Sequence, residues 1–154
     1  MSNIKIRELQ LKDHKGVKEI DELTQRIYRG KKWDTLNEKE KEEFITSRKS
    51  EFKINCKTGF SFVAIKDNKV VGFLFAYETL PFKNKILIHH IAVHPDFQRN
   101  GIGKRLYEAL INKAKTKDKK EIEALINLDN PPSIKLHKEV RFKVTNWKRA
   151  ILKL

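Results

Sequence analysis

The part of the sequence best suited to hold an anion is a glycine-containing turn at residues 98–103, which reads Gln-Arg-Asn-Gly-Ile-Gly. An apolar strand pattern at residues 86–93 precedes the turn, and an amphipathic helix pattern at residues 102–117 follows it. The first N–H groups of a helix have no partner within the helix, and the helix dipole adds partial positive charge there. Glycine at positions 101 and 103 leaves room for a phosphate to approach the backbone. The turn therefore predicts a site for a phosphorylated ligand, with Arg99, Lys104 and Arg105 adding charge.

Two common phosphate-binding motifs do not fit this spacing. A Walker A loop would need its first glycine where Gln98 stands and a hydroxyl side chain where Arg105 stands. A dinucleotide fingerprint would need a third glycine at Leu106. Both motifs are therefore excluded.

The turn instead resembles the Gln/Arg-x-x-Gly-x-Gly/Ala signature of the GCN5-related N-acetyltransferase (GNAT) superfamily. The upstream sequence Ala92-Val93-His94-Pro95 is similar to the Val-x-Pro turn of that family, and a helix pattern follows the glycines as it does there. The resemblance implies acetyl-coenzyme A as co-substrate, bound where two parallel central strands separate. The clustered histidines at positions 89, 90 and 94 do not predict a metal site, because alternation points His89 and His90 to opposite faces and no Cys, Asp or Glu stands at ligand spacing.

The resemblance also assigns parts of the co-substrate to parts of this chain. The pyrophosphate would lie on the glycine turn, the pantetheine arm would pair with the end of the preceding strand, and an asparagine of the next motif would contact the arm. Asn130 can equally cap the helix that begins at Pro131. The implied binding residues are Ile91, Ala92, Val93, Gln98, Arg99, Asn100, Gly101, Ile102, Gly103, Lys104, Asn130 and Ser133.

The candidate general base implied by the family position is His89, four residues before the valine of the Val-x-Pro turn. Serotonin N-acetyltransferases resemble this chain in having histidine there. Histidine has an ordinary pKa of about 6.5 and is therefore largely neutral at pH 7, as a base must be. Glu78 is the competing base, and a purely structural role for His89 stays open. Strand alternation points His90 to the opposite face, unless a bulge brings both rings to one side.

The candidate acid is His137, which stands where the family motif Leu-Tyr-x-x-x-Gly-Phe has tyrosine. A protonated imidazole can donate to a thiolate leaving group. The alternative is a neutral histidine, with water protonating the thiolate. Arg141 replaces the family glycine, so the helix is expected to end without the usual left-handed residue.

The pattern of elements predicts an α/β fold with a GNAT-like mixed central sheet, in the order β-α-α-β-β-β-α-β-α-β. Asp13 is predicted to cap the first helix, and a capping box at Thr35–Glu38 to open a second helix that runs to about Phe52. Asp67 and Asn68 predict a hairpin turn. Strand patterns cover residues 4–9, 60–65, 70–77, 85–93, 121–128 and 142–152.

Composition sets the limits of the functional classes. A length of 154 residues fits a single N-acetyltransferase domain over residues 1–154, and the absence of a long apolar run or secretory signal predicts a cytoplasmic protein with no membrane partner. The single cysteine, Cys56, cannot form an internal disulfide. The net charge of +14 is spread among interleaved acidic residues, which favours a solvated surface over a nucleic-acid site.

These observations predict an N-acetyltransferase that moves an acetyl group from acetyl-coenzyme A to a primary amine by direct attack in a ternary complex. The acceptor is a small molecule or a peptide: a protein N-terminus, a lysine or a small amine. The resemblance implies that residues 29–34 and 143–148 shape the acceptor side, where Trp33 and Trp147 could line the site. A homodimer is left open. The alternative is a non-catalytic coenzyme A-binding or anion-binding module that docks on RNA or ribosomes.

Overall fold

The architecture is a five-stranded mixed sheet with helices on both faces, seen in a computed structural model that describes residues 3–45 and 48–154. The strands lie in sequence order across the sheet: β1 Lys5–Glu8, β2 Phe62–Lys66, β3 Lys69–Glu78, β4 Lys85–Val93 and β5 Glu121–Ala124. Neighbouring strands are antiparallel except β4 and β5, which are parallel. This confirms the predicted α/β class with a mixed sheet.

Six α-helices accompany the sheet within the described residues: α1 His14–Arg29, α2 Lys31–Asp34, α3 Glu38–Phe44, α4 Lys49–Asn55, α5 Ile102–Thr116 and α6 Pro131–Glu139. One face of the sheet packs on α5 through a buried cluster that includes Leu74, Ile88 and Leu106. The other face packs on α1 and α4 through a second cluster that includes Val17, Phe52 and Phe73. None of the described helices combines the length and the apolar character needed to cross a bilayer.

Two predicted helix starts differ from the structure. Asp13 precedes α1 but does not cap it, because its carboxylate accepts hydrogen bonds from Gln10 N at 2.8 Å and from Arg7 at 2.7 Å. The capping box of α3 is formed by Asn37 and Glu40, two residues later than predicted. The predicted helix to Phe52 is two helices, α3 and α4, and Thr46 and Ser47 between them lie outside the described residues.

The hairpin turn was predicted correctly. Asp67 and Asn68 both have positive φ, 48° and 62°, as a type I′ turn between β2 and β3 requires.

The predicted strand at residues 142–152 is wrong, and β5 ends at Ala124 rather than at residue 128. Phe142 is partly buried against Tyr107, with ring centroids 5.6 Å apart, but the residues after it have no regular structure. Trp147 is 93% exposed. A strand needs a partner edge as well as a suitable local pattern, and Lys148 and Arg149 interrupt the alternation at the centre of this segment.

Candidate functional site

The central feature of the site is the point where β4 and β5 separate. The two strands are paired from Lys85 opposite Glu121 to Ile88 opposite Ala124, where β5 ends. β4 continues to Val93, so its β5-facing edge beyond Ile88 has no strand partner among the described residues. Backbone N–H and C=O groups on such an edge are available to an amide-containing ligand. Ile91, Ala92 and Val93 lie on this stretch, where the sequence placed the pantetheine arm.

A β-bulge at His89 changes the direction of the side chains along β4. Phe75 of β3 lies opposite His90, but the next residue, Ala76, lies opposite Ile88, which leaves His89 as the extra residue. Ile88 therefore faces the α5 cluster, whereas Ala92 belongs to the cluster on the α1 face.

Both histidines consequently lie on the α1 face. The His89 ring is exposed, and its centroid is 6.5 Å from that of Tyr77. Tyr77 follows Phe73 and Phe75 at two-residue spacing along β3, so it lies on the same face as they do, and both belong to the α1-face cluster. The expectation that His90 faces the opposite side is wrong, since the bulge interrupts the alternation on which it rested.

His90 contacts a buried carboxylate. Its Nε2 lies 3.3 Å from Oδ1 of Asp21, which is fully buried on the sheet-facing side of α1. The His90 ring stacks on Phe73, with centroids 5.3 Å apart and an interplanar angle of 11°. Burial lowers the pKa of His90, the Asp21 carboxylate opposes this effect, and His89 adds to it. His90 is therefore neutral at pH 7.

Glu78 is not brought together with these histidines. It is the last residue of β3, lies opposite Ile86 at the start of β4, and forms an ion pair with Lys119. It follows Leu74 and Ala76 at two-residue spacing along β3, so it shares their face, which is the α5 face. The structure thus separates the two candidate bases by face.

The predicted anion-binding turn is well formed. Arg99 and Gly101 both have positive φ, 63° and 71°, and α5 begins directly afterwards at Ile102. Gly101 provides no side-chain cap, so no side chain of the N-cap residue occupies the N–H groups of the first turn of α5. Gln98 donates a hydrogen bond from Nε2 to the Val93 carbonyl at 3.1 Å, which ties the turn to the free edge of β4.

The remaining residues of the turn have distinct positions. Asn100 donates from Nδ2 to the Phe97 carbonyl at 3.2 Å. Ile102 places its side chain in the core, so only its backbone can face a ligand, whereas Lys104 is exposed. Arg105 donates to the Ile4 carbonyl at 2.6 Å, which directs its charge to the loop before β1 rather than to the turn.

The two glycines serve different purposes. Gly101 has a left-handed conformation with open space where a Cβ would be. Gly103 has ordinary helical geometry, and a Cβ there would lie 3.0 Å from Cδ2 of Leu136. Gly103 therefore also permits close packing of α5 against α6, a role that the sequence did not indicate.

The start of α6 confirms the capping role of Asn130, whose Oδ1 accepts a hydrogen bond from Ser133 N at 3.2 Å. Asn130 is half-buried, and its amide nitrogen is not used by this cap. Ser133 lies one turn before His137, and its Oγ is 3.4 Å from His137 Nδ1. At the other end of α6, Arg141 has a positive φ of 71°, so the expectation that this helix ends without a left-handed residue is wrong.

His137 is only 3% exposed, and both of its ring nitrogens have partners. Nδ1 lies 2.7 Å from the Ser133 carbonyl and must donate to it, and in the neutral ring that burial favours Nε2 accepts from the Tyr107 hydroxyl at 2.6 Å. Burial lowers the pKa of His137, a shift that the Ser133 carbonyl opposes, and raises that of Tyr107. These contacts favour the neutral alternative for His137 over the protonated donor.

Sequence reasoning missed two residues, Asp21 and Tyr107. Asp21 lies beside Ile20 on the buried side of α1, and Tyr107 follows Leu106 on the buried side of α5. A polar group within an otherwise apolar helix face needs a buried partner. That pattern is the available signal, although it does not identify the partner.

The described residues contain no group of three His, Cys, Asp or Glu side chains that could hold a metal ion.

Comparison with known proteins identifies the family. Residues 17–142 match the model of the acetyltransferase (GNAT) family. The chain belongs to the GNAT family. The matched region includes the glycine turn and the start of α5.

The match to an individual curated relative covers only part of the chain. Over 57 residues the chain is 39% identical to the L-amino acid N-acyltransferase MnaT of Escherichia coli (strain K12). The aligned stretch covers 37% of this chain and 33% of that protein. The match thus spans about a third of the length of this curated relative.

Solved structures share the GNAT fold along nearly the whole chain. The PaiA N-acetyltransferase from Thermoplasma acidophilum, in complex with coenzyme A, has a TM-score of 0.81 at 18% identity, over 95% of this chain and 93% of that one. The diaminobutyrate acetyltransferase EctA from Paenibacillus lautus, in complex with L-2,4-diaminobutyric acid and coenzyme A, has a TM-score of 0.66 at 17% identity, over 91% and 75%.

Proposed function

We propose that this protein is an N-acetyltransferase that moves an acetyl group from acetyl-coenzyme A to a primary amine, with residues 1–154 acting as one catalytic domain. The observation that carries the proposal is the free edge of β4, which leads directly into a turn whose helical N–H groups have no side-chain cap. A backbone edge for amides followed by an anion site suits a ligand with an amide-containing arm and a pyrophosphate.

Acetyl-coenzyme A supplies the acetyl thioester when it is bound. Ile91, Ala92 and Val93 hold the pantetheine arm through the backbone of β4. The turn holds the pyrophosphate through its backbone N–H groups, with Arg99 and Lys104 adding charge. Asn130 contacts the arm through the amide nitrogen that its capping bond leaves available. Residues 98–104 and Ser133 complete the binding set.

His89 is the proposed base. A lysine-like acceptor amine is mostly protonated at neutral pH, because its pKa is about 10.4, and it must lose a proton before it can attack. The His89 ring is exposed on the bulge where β4 leaves β5, on the face away from α5. Glu78 is the weaker candidate, because it faces α5 and is paired with Lys119.

The leaving thiolate needs a proton donor, and His137 is held neutral with both nitrogens in use. We propose that water protonates the thiolate and that His137 keeps α5 and α6 together. A coenzyme A thiolate is a good leaving group compared with an amine, so this proton is not the most demanding one.

The proposed acceptors are a protein N-terminus, a lysine side chain or a small amine. The relative in Escherichia coli named for L-amino acids and the neighbour bound to diaminobutyric acid support a primary amine, and leave its size open. Trp33 is largely buried but lines a cavity beside α1 together with His14 and Arg26, so it remains a candidate for the acceptor side, and Trp147 is exposed.

The test is an assay of coenzyme A thiol release with acetyl-coenzyme A and a panel of small amines, amino acids and peptides. We expect release that depends on one class of amine, together with a product heavier by one acetyl group. Binding of acetyl-coenzyme A without transfer to any amine in the panel would contradict the proposal and favour the non-catalytic module.

A further inference from the structure

The contact between Asp21 and His90 joins α1 to the bulged strand directly beside the proposed base. Asp21 is fully buried, and a carboxylate accepts but does not donate hydrogen bonds when it is ionised. His90 Nε2 lies 3.3 Å from Asp21 Oδ1 in a charge contact that is not aligned as a hydrogen bond, and the negative charge at this distance favours the form of the ring with its proton on Nε2. The lone pair is then on Nδ1.

The bulge puts this pair next to His89. His90 follows His89 in the chain, and both side chains are on the α1 face rather than on opposite faces. The His90 side chain retains 19% exposure, so water can reach its ring. Its stacking on Phe73 fixes the plane of the ring.

We propose that Asp21 is a positioning residue that holds His90 as a second proton acceptor beside His89 in the acetyl transfer. The inference rests on the proposed function and extends it. The neutral amine nitrogen forms its bond to the acetyl carbon, the thioester C–S bond breaks, and water protonates the coenzyme A thiolate that leaves. The proton that the nitrogen loses passes to His89 and His90 and is then released to water. Asp21 fixes the ring nitrogen that accepts, and its negative charge stabilises the imidazolium that results.

The electrostatic setting supports this role. The groups that act on the charge of His90 are Asp21 from α1 and His89 from β4, while β3 contributes the uncharged Phe73 ring. Burial lowers the pKa of His90, so the ring is free to accept a proton at pH 7, and the carboxylate prevents burial from abolishing its basicity.

The first test is the effect of Asp21→Asn on the pH dependence of the rate. Asparagine keeps the shape but removes the charge, so the pKa of His90 falls further. We expect kcat to fall at least about 10-fold, the acid limb of the kcat profile to move to lower pH, and the KM for acetyl-coenzyme A to change less than about 2-fold. Glu22→Gln, which removes an exposed carboxylate one residue further along α1, is the matched control and should leave both kcat and the acid limb unchanged.

The second test shows whether Asp21 acts through His90. His90→Gln alone should also lower kcat at least about 10-fold, and Asp21→Asn should have little additional effect in that background. Additive losses, or an Asp21→Asn variant with a normal acid limb, would overturn the proposal, since a merely structural role lowers the rate without moving the limb.

The third test needs neither substrate nor variant. The ring ¹⁵N chemical shifts of His90 in the intact protein at pH 7 should show a protonated Nε2 and an unprotonated Nδ1. A proton on Nδ1 would overturn the pairing even if the variants do not fold. Because this measurement involves no turnover, its result is independent of whether the protein proves to be an acetyltransferase.

Discussion

At the scale of single residues, His89 is the position on which the proposed chemistry depends most. It is the extra residue of the β4 bulge and is exposed where β4 and β5 separate. The sequence identified the residue through the family motif, but not the bulge, because a bulge is set by pairing with β3 rather than by the residues of β4 alone. The shared face of His89 and His90 therefore required the structure.

Replacing His89 by alanine should lower kcat by roughly 10²–10⁴-fold, the usual contribution of a general base, and should leave the affinity for acetyl-coenzyme A nearly unchanged. Steady-state kinetics and a direct binding titration measure the two quantities. Glu78→Gln is the comparison, expected to reduce kcat little. The assignment of the base is reversed if Glu78→Gln shows the large loss and His89→Ala does not.

His90 and His137 together predict how stability depends on pH. Burial lowers the folded-state pKa of both below the unfolded value near 6.5, so the unfolded chain takes up these protons first as the pH falls. The free energy of unfolding should therefore decrease from about pH 6.5 downwards, by at most about 1.4 kcal/mol per pH unit for each histidine. Urea unfolding at several pH values measures this slope.

The control for that prediction is His137→Gln, which removes one titrating group. The variant should be less stable at pH 7, because Tyr107 loses the ring nitrogen that accepts its hydrogen bond, yet its stability should fall less steeply between pH 6.5 and 5. An unchanged slope would show that His137 is not held neutral in the folded protein.

At the scale of elements, the site is built from one strand edge and one helix start. The sequence predicted β4 with the correct bounds and α5 to within one residue, because both carry strong local patterns. It placed a helix start at Asn130 correctly, since capping is also local. The prediction of a strand at residues 142–152 was wrong because strand pairing depends on a distant partner edge. The packing role of Gly103 could not be predicted without the position of Leu136.

Lys104→Glu tests the helix start as an anion site. A charge reversal in the first turn of α5 should weaken acetyl-coenzyme A binding about 10-fold or more, because loss of a charge-assisted contact costs roughly 1.5–3 kcal/mol. Lys115→Glu makes the same change in charge at an exposed position near the other end of α5 and should have little effect. Isothermal titration calorimetry at one salt concentration measures both. Equal effects of the two variants would mean that only the net charge matters.

At the scale of the whole molecule, the proposed acceptor chemistry and the α5–α6 packing lie on opposite faces of one sheet. The α1 face carries His89, His90 and Asp21, while the α5 face carries the Tyr107–His137 pair. The family could be predicted from the sequence because the glycine motif is specific, and the mixed α/β sheet because its strands and helices have clear local patterns. The acceptor substrate could not be predicted, because the loops that would select it carry no comparable motif.

The most direct test of the account is an NMR titration of the ¹⁵N-labelled chain with acetyl-coenzyme A, with the backbone amides assigned. We expect the largest chemical-shift changes on residues 98–104 at the start of α5 and on residues 91–93 at the free edge of β4, with smaller changes at Asn130. Changes confined to other surfaces, or none at millimolar ligand, would contradict the claim that this edge and this turn form the acetyl-coenzyme A site.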